Sequence, residues 1–408
     1  MTVSQLKGLS ISSDPNAWIK SLFVFFCFFP YLKVVPFLDT DIQPYALGFS
    51  ILLFAIWFPF YVNVALLPGL ALAFFAIATI GLNGLSVVGL RNSFGYLSFF
   101  TITYASYKYL TYRGEPPFRF MTIAIYIWMA VGVIQLFSPE FLNFLLPRAK
   151  TSFTRGVFAL SPEPTFYGIT CLFFLLIVQL AQHPKRKLLS LLLLFQIVFL
   201  AQSSMVILFL LILITIRITF KLSLKRFLAY TLVGIISLLI LLNIDLGNYN
   251  IRFLQIVDLV LDKGFLKLIA LDQSISDRAA HIYFSVKGFL ESYTLPHGYG
   301  EWRSDIKSQL PAYREVFAID WVSTNDKIMS TYGAALYELG IFGLLLPICI
   351  SLILYRALRS QLSTAMVMVL FVNMILMTAI PVSFPPLGFL MGLAIYRSKS
   401  SDEDTVSP

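Results

Sequence analysis

The sequence is poor in charged residues, histidine and cysteine, and each shortage excludes a class of protein. Only 12% of its 408 residues are charged, 58% are hydrophobic, and the mean hydropathy is +0.81. A soluble globular protein carries about twice that share of charge. The three histidines and three cysteines lack the spacing of a metal site or a disulfide framework. Cys27, Cys171 and Cys349 fall in apolar runs, where we expect small core residues.

Long apolar runs make up most of the sequence. Many reach about 18 residues, enough for a helix to cross a bilayer, and they do not alternate as the strands of a β-barrel would. The sequence therefore predicts an all-α polytopic membrane protein with about 12 transmembrane helices. The predicted spans lie near 18–31, 45–61, 66–82, 94–110, 120–137, 165–180, 188–201 and 205–220, then a ninth reaching 245, one at 332–355, one after 361 and a short last one ending at 397.

The distribution of Lys and Arg predicts the orientation. Placing both termini in the cytoplasm puts the basic runs at 185–187, 221–226 and 356–359 inside. The first apolar run lacks a small-residue cleavage site after it, so we expect a retained helix. A large, partly helical loop then lies outside, between spans nine and ten. The net charge of +9 sits mostly in short loops, so nucleic acid is not an expected partner.

The predicted organisation has four parts. Residues 1–246 hold spans one to nine and an exterior loop at 138–164. Residues 247–330 form the large periplasmic loop, residues 331–397 hold spans ten to twelve, and residues 398–408 form a cytoplasmic tail. We expect the tail from Ser400 to be disordered.

The large loop contains two predicted helices. Arg252 to Ala270 is amphipathic and suits either the outer headgroup region or packing on the bundle. Asp277 could cap a second helix running to about Tyr293. Its apolar stripe consists of Ile282, Val286, Phe289 and Leu290, while Arg278, His281 and Ser285 share another face. That face is either a plain solvated surface or an exposed pair of a phosphate-binding arginine and a titratable base.

A turn follows at Leu295–Trp302. Gly298 and Gly300 permit positive φ or close approach of the backbone to a ligand, although most such clusters merely turn the chain.

The smaller exterior loop brings cations next to a carboxylate. Arg148, Lys150 and Arg155 precede Glu163, which stands between two prolines at the start of span six. These cations suit either a binding site or simple anchoring at headgroups. A rigidly placed carboxylate near lipid is costly unless it faces a polar cavity.

These motifs resemble the bacterial O-antigen polymerase (Wzy-type) and O-antigen ligase superfamily. The resembling features are Arg155-Gly, Pro162-Glu-Pro-Thr165 leading into a span, a loop arginine at Arg278, the Pro296-x-Gly-x-Gly300 turn and the span opening Glu338-Leu-Gly-Ile-Phe-Gly343. About a dozen spans with the largest exterior loop late in the chain also match that family. Many members carry a His-Asn pair before the last motif, whereas this chain has Asn325-Asp-Lys-Ile-Met-Ser330.

The resemblance implies transfer of a glycan from an undecaprenyl-diphosphate carrier, at the outer face of the inner membrane and without a cofactor. It implies loop arginines at Arg155 and Arg278 and an acidic position at Glu163. The expected partners are the lipid-linked oligosaccharide, the bilayer, and a chain-length regulator and flippase of the same pathway.

The chemistry of such a transfer suits these residue types. Arginine can neutralise a departing diphosphate bidentately, and the acceptor hydroxyl needs a general base, for which Glu163 and His281 are the candidates. A polymerase is the leading hypothesis and an O-antigen ligase the nearest alternative. A lipid-linked oligosaccharide flippase, or a regulatory or scaffold membrane protein, belongs to a different class. Because the sequence has no internal repeats and its polar residues gather outside the spans, it favours exterior chemistry over transport.

Overall fold

A computed structural model describes residues 15–35, 40, 42–57, 63–147, 156–221, 252–378 and 380–406. All regular structure in these residues is helical, with no strand. The predicted ninth span, which follows the basic run at 221–226 and reaches 245, lies outside them, as do Arg148, Lys150 and Arg155.

The helices before the large loop are α1 (Ala17–Phe28), α2 (Tyr45–Ile56), α3 (Leu67–Ala78), α4 (Ile80–Asn83), α5 (Val87–Arg113), α6 (Phe118–Phe137), α7 (Pro164–Leu180), α8 (Arg186–Phe195) and α9 (Ser204–Lys221). Those in and after it are α10 (Arg252–Lys263), α11 (Phe265–Leu271), α12 (Gln273–Glu291), α13 (Trp302–Gln309), α14 (Thr331–Leu339), α15 (Leu345–Ala357), α16 (Leu362–Thr378) and α17 (Pro385–Val406).

Four helical segments of the described chain are long and apolar enough to cross a membrane. They are Val64–Leu82, Phe118–Phe137, Thr331–Ala357 and Arg359–Thr378. Shorter apolar helices accompany them at Ala17–Phe28, Tyr45–Ile56, Pro164–Leu180 and Ser204–Phe220. These helices are compatible with a membrane protein, and many of their apolar side chains are exposed on the outside of the bundle. The count of twelve spans and the exterior position of the large loop stay predictions.

The centre of the bundle is the pairing of α5 with α17. Gly388 and Gly392, one turn apart on α17, face Ile102, Thr103 and Ser106 of α5. A Cβ atom at residue 392 would lie 2.4 Å from the Ser106 Cβ and 2.7 Å from the Thr103 carbonyl oxygen. Glycines at this spacing let two helix backbones approach closely where no hydrophobic force drives helices together.

Contacts between helix ends fall into two groups. At one end, the Arg397 Nε donates to the Leu180 carbonyl, and the Tyr396 hydroxyl donates to the Gly114 carbonyl. At the other end, the Thr331 hydroxyl donates to the Ile380 carbonyl. The large loop joins the bundle at this second end, so it caps one end of the helices.

The large loop has a hydrophobic core of its own. It contains Ala280, Phe284, Trp302, Ile306, Leu310, Phe317, Val322, Ile328 and Tyr337. We call residues 272–330 the cap. Tyr337 belongs to α14, so the core of the cap extends directly onto a helix that continues into the bundle.

Three predictions for the loop and tail are wrong. The single amphipathic helix at 252–270 is two helices, because Gly264 adopts a φ of 83° between α10 and α11. The residue that caps the N-terminus of α12 is Asp272 and not Asp277, because the Asp272 carboxylate accepts the N–H groups of Ser274 and Ile275 at 3.0 Å. The tail is helical as far as Val406 instead of disordered from Ser400.

The face of α12 that packs inward is also not the predicted one. His281 and Ser285 are fully buried, whereas Val286 and Leu290 of the apolar stripe are 37% and 62% exposed. The polar face turns inward because the backbone of residues 323–329 needs hydrogen-bond partners there. The solvent-exposed Arg–His face is therefore not observed.

Candidate functional site

Glu163 lies at the N-terminus of α7, held by its own backbone. Its carbonyl accepts the Ser161 hydroxyl at 2.8 Å and the Tyr167 N–H at 3.1 Å, with Pro162 and Pro164 on either side. The residue is half-buried. Within the described part of the chain, its carboxylate makes no hydrogen bond or ion pair. A fixed backbone with an unengaged carboxylate leaves Glu163 able to accept a proton from a bound hydroxyl.

Two hydroxyl groups are paired where α7 and α9 begin, close to Glu163 in the chain. Thr165, in the first turn of α7, is hydrogen-bonded to Ser203, next to the start of α9, at 3.0 Å. The helices approach closely, since a Cβ atom at Gly168 would lie 2.8 Å from the Val206 methyl groups. Two neighbouring helix N-termini direct unpaired N–H groups and positive dipole ends to one place, which favours an anion there.

The segment leading into Glu163 is clamped to the bundle. The buried Gln135 amide of α6 accepts the Ala159 N–H at 2.7 Å and donates to the Ala159 carbonyl at 3.0 Å. The Val157 N–H donates to the Leu200 carbonyl at 2.8 Å. Gly156 is required here, because a Cβ atom would lie 2.1 Å from that carbonyl oxygen. Arg155 directly precedes this fixed glycine in the sequence.

His281 is fully buried in the cap, and both of its ring nitrogens are engaged. Its Nδ1 accepts the Met329 N–H at 3.1 Å, so the proton of the neutral ring is on Nε2. That Nε2 lies 2.9 Å from the Ser323 carbonyl oxygen and 3.4 Å from the Asp277 carboxylate. His281 therefore holds the chain at 323–329 against α12, which leaves no ring nitrogen available for a substrate.

The two residues beside His281 have separate roles. Asp277 accepts the Ser323 N–H at 2.8 Å. Burial raises the pKa of Asp277, but hydrogen bonds from His281 and Ser323 and the nearby Arg278 outweigh it, so the net pKa is lowered. Arg278 is half-buried, and its guanidinium donates to the carbonyl, at 3.1 Å, and the hydroxyl of Ser274. These bonds direct the Arg278 side chain back to the first turn of α12, where Ser274 lies.

Gly298 and Gly300 have φ values of 78° and 99°, so the expected positive φ is confirmed at both. The turn docks on the bundle, since the Gly298 N–H donates to the Glu338 carbonyl at 3.1 Å. Between the glycines, the buried Tyr299 hydroxyl donates to the Ala76 carbonyl at the end of α3, at 2.8 Å. In the described structure these glycines serve the docking of the cap, and contact with a ligand stays a prediction.

A buried carboxylate lies directly below this turn. Glu338 accepts the Asn92 side-chain amide and the Tyr96 hydroxyl of α5, each at 2.7 Å. Glu338 therefore joins α14 to α5 by hydrogen bonds within the packed helices. A carboxylate buried at this depth would be costly without such donors.

The predicted site residues fall into two groups. Glu163 belongs to the bundle, while Arg278, His281, Gly298 and Gly300 belong to the cap, and no hydrogen bond or ion pair joins Glu163 to Arg278 or His281. Sequence reasoning missed Ser203 and Gln135, for which the only signals were a tight turn and a polar residue inside an apolar run. Among the described residues, no cluster of His, Cys, Asp and Glu could hold a metal ion.

No family model and no curated protein matches this chain.

Proposed function

We propose that this protein is a polysaccharide polymerase. It transfers a glycan from an undecaprenyl-diphosphate carrier to a lipid-linked acceptor at the outer face of the bacterial inner membrane, as a metal-independent glycosyltransferase. The observation that carries this proposal is the half-buried Glu163 carboxylate, which has no partner in the described structure and lies beside the start of two helices.

Glu163 is the proposed general base. It takes the proton of the acceptor hydroxyl as that oxygen attacks the anomeric carbon, while the bond from this carbon to the diphosphate breaks. Glu163 is preferred to His281 because both ring nitrogens of His281 are bound to backbone groups.

The leaving diphosphate requires positive charge. Arg155, Arg148 and Lys150 precede the clamped segment at Gly156–Ala159, and Arg278 is the cation contributed by the cap. Arginine suits this role because its planar guanidinium remains charged and binds phosphate oxygens bidentately. The helix N-termini at Thr165 and Ser204 add dipoles of the same sign.

Two alternatives remain distinct from a polymerase. An O-antigen ligase would use the same diphosphate chemistry to move finished polymer onto lipid A-core, but the chain has no histidine after His297. A flippase would bind its cargo in mid-membrane. The free carboxylate at a helix end favours chemistry at the surface of the bundle. The bilayer, a chain-length regulator and a flippase complete the proposed setting, with both termini in the cytoplasm.

The test is the pattern of surface polysaccharide in cells that carry single variants. Glu163→Gln keeps the size of the side chain and removes the base, so we expect long polymer to fall about 100-fold or more, with single repeat units still on the surface. Arg155→Ala and Arg278→Ala should give the same pattern. Glu140→Gln, an exposed carboxylate of the same loop, is the matched control and should leave chain lengths unchanged.

Other outcomes would identify a different function. Normal chain lengths in all three variants would contradict the site. Loss of all surface polysaccharide, single units included, would indicate a ligase. Accumulation of lipid-linked units on the inner leaflet in a deletion strain would indicate a flippase.

A further inference from the structure

The chain turns sharply where α12 ends, and large side chains around this turn are exposed. Leu290 is 62% exposed, Tyr293 87% and Leu295 65%. Tyr293 and Thr294 have φ values of 53° and 66°, a left-handed conformation that is rare for residues other than glycine and rarest for β-branched ones. Such strain persists where the surrounding structure imposes it, and it often marks functional segments. We call residues 290–295 the α12 turn.

The backbone of the α12 turn is hydrogen-bonded within the chain. The N–H groups of residues 292–295 donate, in order, to the carbonyls of Gly288, Leu290, Phe289 and Ser292 at 2.9–3.1 Å. The Thr294 carbonyl accepts the Ile341 N–H at 2.9 Å. Water satisfies the polar groups of an ordinary surface turn, whereas a turn in hydrocarbon must satisfy them internally. The pairing in the α12 turn therefore suits an apolar environment.

α12 runs alongside α14 in the same direction, from the outer end of the cap toward the bundle. His281 is hydrogen-bonded to Met329, just before α14. Further along, a Cβ atom at Gly288 would lie 2.8 Å from the Tyr337 ring. The α12 turn follows and meets the chain at Ile341, past the end of α14. This turn is therefore the part of α12 that reaches deepest along the bundle.

Two long apolar segments show how deep this is. A helix crosses the hydrocarbon of a bilayer with about 20 residues. Thr331–Ala357 has 27 residues, and its first residues pack in the core of the cap, so Ile341 lies within the length that crosses. In Val64–Leu82, Phe75 lies seven residues before the end, and its ring stacks on that of Phe342 with centroids 3.8 Å apart. Both segments place the α12 turn just inside the hydrocarbon boundary.

The exposed surface that continues from the α12 turn along the bundle is apolar. Thr331–Ala357 exposes about one large side chain per helical turn, namely Ile341, Leu344, Ile348, Leu352 and Tyr355. These side chains face acyl chains in any bilayer that the segment crosses. The charged side chains nearest to the turn in the sequence, Lys287 and Glu291, are paired with each other at 3.6 Å. The turn therefore extends a lipid-facing surface onto the cap.

We propose that the α12 turn inserts into the bilayer at the cap end of the bundle. Leu290 and Leu295 lie among the upper parts of the acyl chains. Tyr293 lies at the headgroup boundary, where its ring is in apolar surroundings and its hydroxyl reaches polar groups. Lipid is the partner because the turn is continuous with the lipid-facing stripe and lies at its depth. The insertion is independent of glycan transfer and stands if that function is wrong.

The test measures the depth of single fluorophores on the full-length protein in phosphatidylcholine nanodiscs. The three native cysteines are buried, so wild-type protein gives the background of labelling. Tyr293→Cys and Leu295→Cys each receive the environment-sensitive fluorophore NBD. Asn325→Cys is the matched control, since Asn325 is exposed and bonded to Ser323, which Asp277 holds roughly 24 Å further out along α12.

We expect the labels at 293 and 295 to emit at shorter wavelength than the label at 325. They should lose fluorescence when the nanodiscs contain phosphatidylcholine with a spin label on its acyl chain. The label at 325 should lose fluorescence only to iodide in the water. Unlabelled variants that unfold at the temperature of the wild type would show that the substitutions preserve the fold.

Two results would overturn the proposal. Labels at 293 and 295 that iodide quenches as strongly as the label at 325, with no effect of the lipid spin label, would place the turn in water. Labels protected from both quenchers would show that a second copy or another protein covers the turn. If the two positions disagree, Leu295→Cys decides, because Leu295 lies outside the strained pair.

Discussion

Two titratable residues that the sequence presents as equal candidates for a base differ once their surroundings are known. Both ring nitrogens of His281 are hydrogen-bonded to the backbone of Ser323 and Met329, whereas the Glu163 carboxylate has no partner in the described residues. A pattern of helical spacing reports which residues share a face. It does not report whether that face meets substrate or the backbone of a distant loop, and here 42 residues separate His281 from Ser323.

This contrast predicts opposite behaviour for two variants. His281→Ala removes the partners of two buried backbone groups, so we expect it to lower the free energy of unfolding by about 3 kcal/mol. Glu163→Gln breaks no contact of the described structure and should leave the unfolding temperature unchanged while abolishing long polymer. Thermal unfolding of both variants in detergent checks this. A His281→Ala protein that unfolds like the wild type yet makes no polymer would instead identify His281 as the base.

At the scale of helices, the sequence predicts the position of a helix well where a long apolar run determines it. The runs at 120–137, 165–180 and 205–220 match α6, α7 and α9 closely. The predicted faces and bounds of helices are wrong where hydrogen bonding to a loop or a glycine in the backbone determines them. α12 turns its polar face inward to satisfy a loop backbone, and Gly264 breaks a continuous amphipathic pattern with a positive φ. For the candidate site, the sequence predicts Glu163 at the start of a helix and positive φ at the turn glycines, but not the hydroxyl pair of Thr165 and Ser203, which joins two different helices.

The close packing of α5 against α17 depends on glycines, which have no side chain, at the contact. Gly392→Ala would place a methyl group 2.4 Å from the Ser106 Cβ and should lower stability by about 1–3 kcal/mol, because two backbones must separate. The matched control is Gly48→Ala in α2, where nothing lies within 4 Å of the new Cβ atom and alanine favours the helix. Unfolding temperatures of both variants check this. Equal stability of Gly392→Ala and the wild type would show that these helices lie further apart than described.

At the scale of the whole molecule, the chain has a bundle core and a cap core, and the proposed chemistry needs residues from both. Glu163 is fixed to the bundle through Gln135, while Arg278 is fixed to the cap. The two cores meet where the Pro296–Gly300 turn reaches the ends of α3 and α14. Composition predicts that a polar segment stays outside an apolar bundle. It does not predict which helix ends receive that segment, since Tyr299 and Ala76 are 223 residues apart.

The docking of the cap can therefore be weakened without changing Glu163 or Arg278. Tyr299→Phe keeps the buried ring but loses the hydroxyl that donates to Ala76, leaving a carbonyl at the end of α3 without that donor. Burial raises the pKa of Tyr299, so the wild-type hydroxyl is a neutral donor at any physiological pH and the effect should not vary with pH. We expect a loss of about 1–2 kcal/mol in docking and faster hydrogen exchange at 296–302, measured by mass spectrometry. Tyr283→Phe removes a hydroxyl from the exposed side of the cap and should leave that exchange unchanged.

The same variant tests whether glycan transfer needs the cap residues as well as Glu163. If it does, polymer length in Tyr299→Phe cells should fall together with the protection of the 296–302 turn from hydrogen exchange. Full-length polymer from a protein whose turn exchanges fast would show that transfer does not depend on the docked cap.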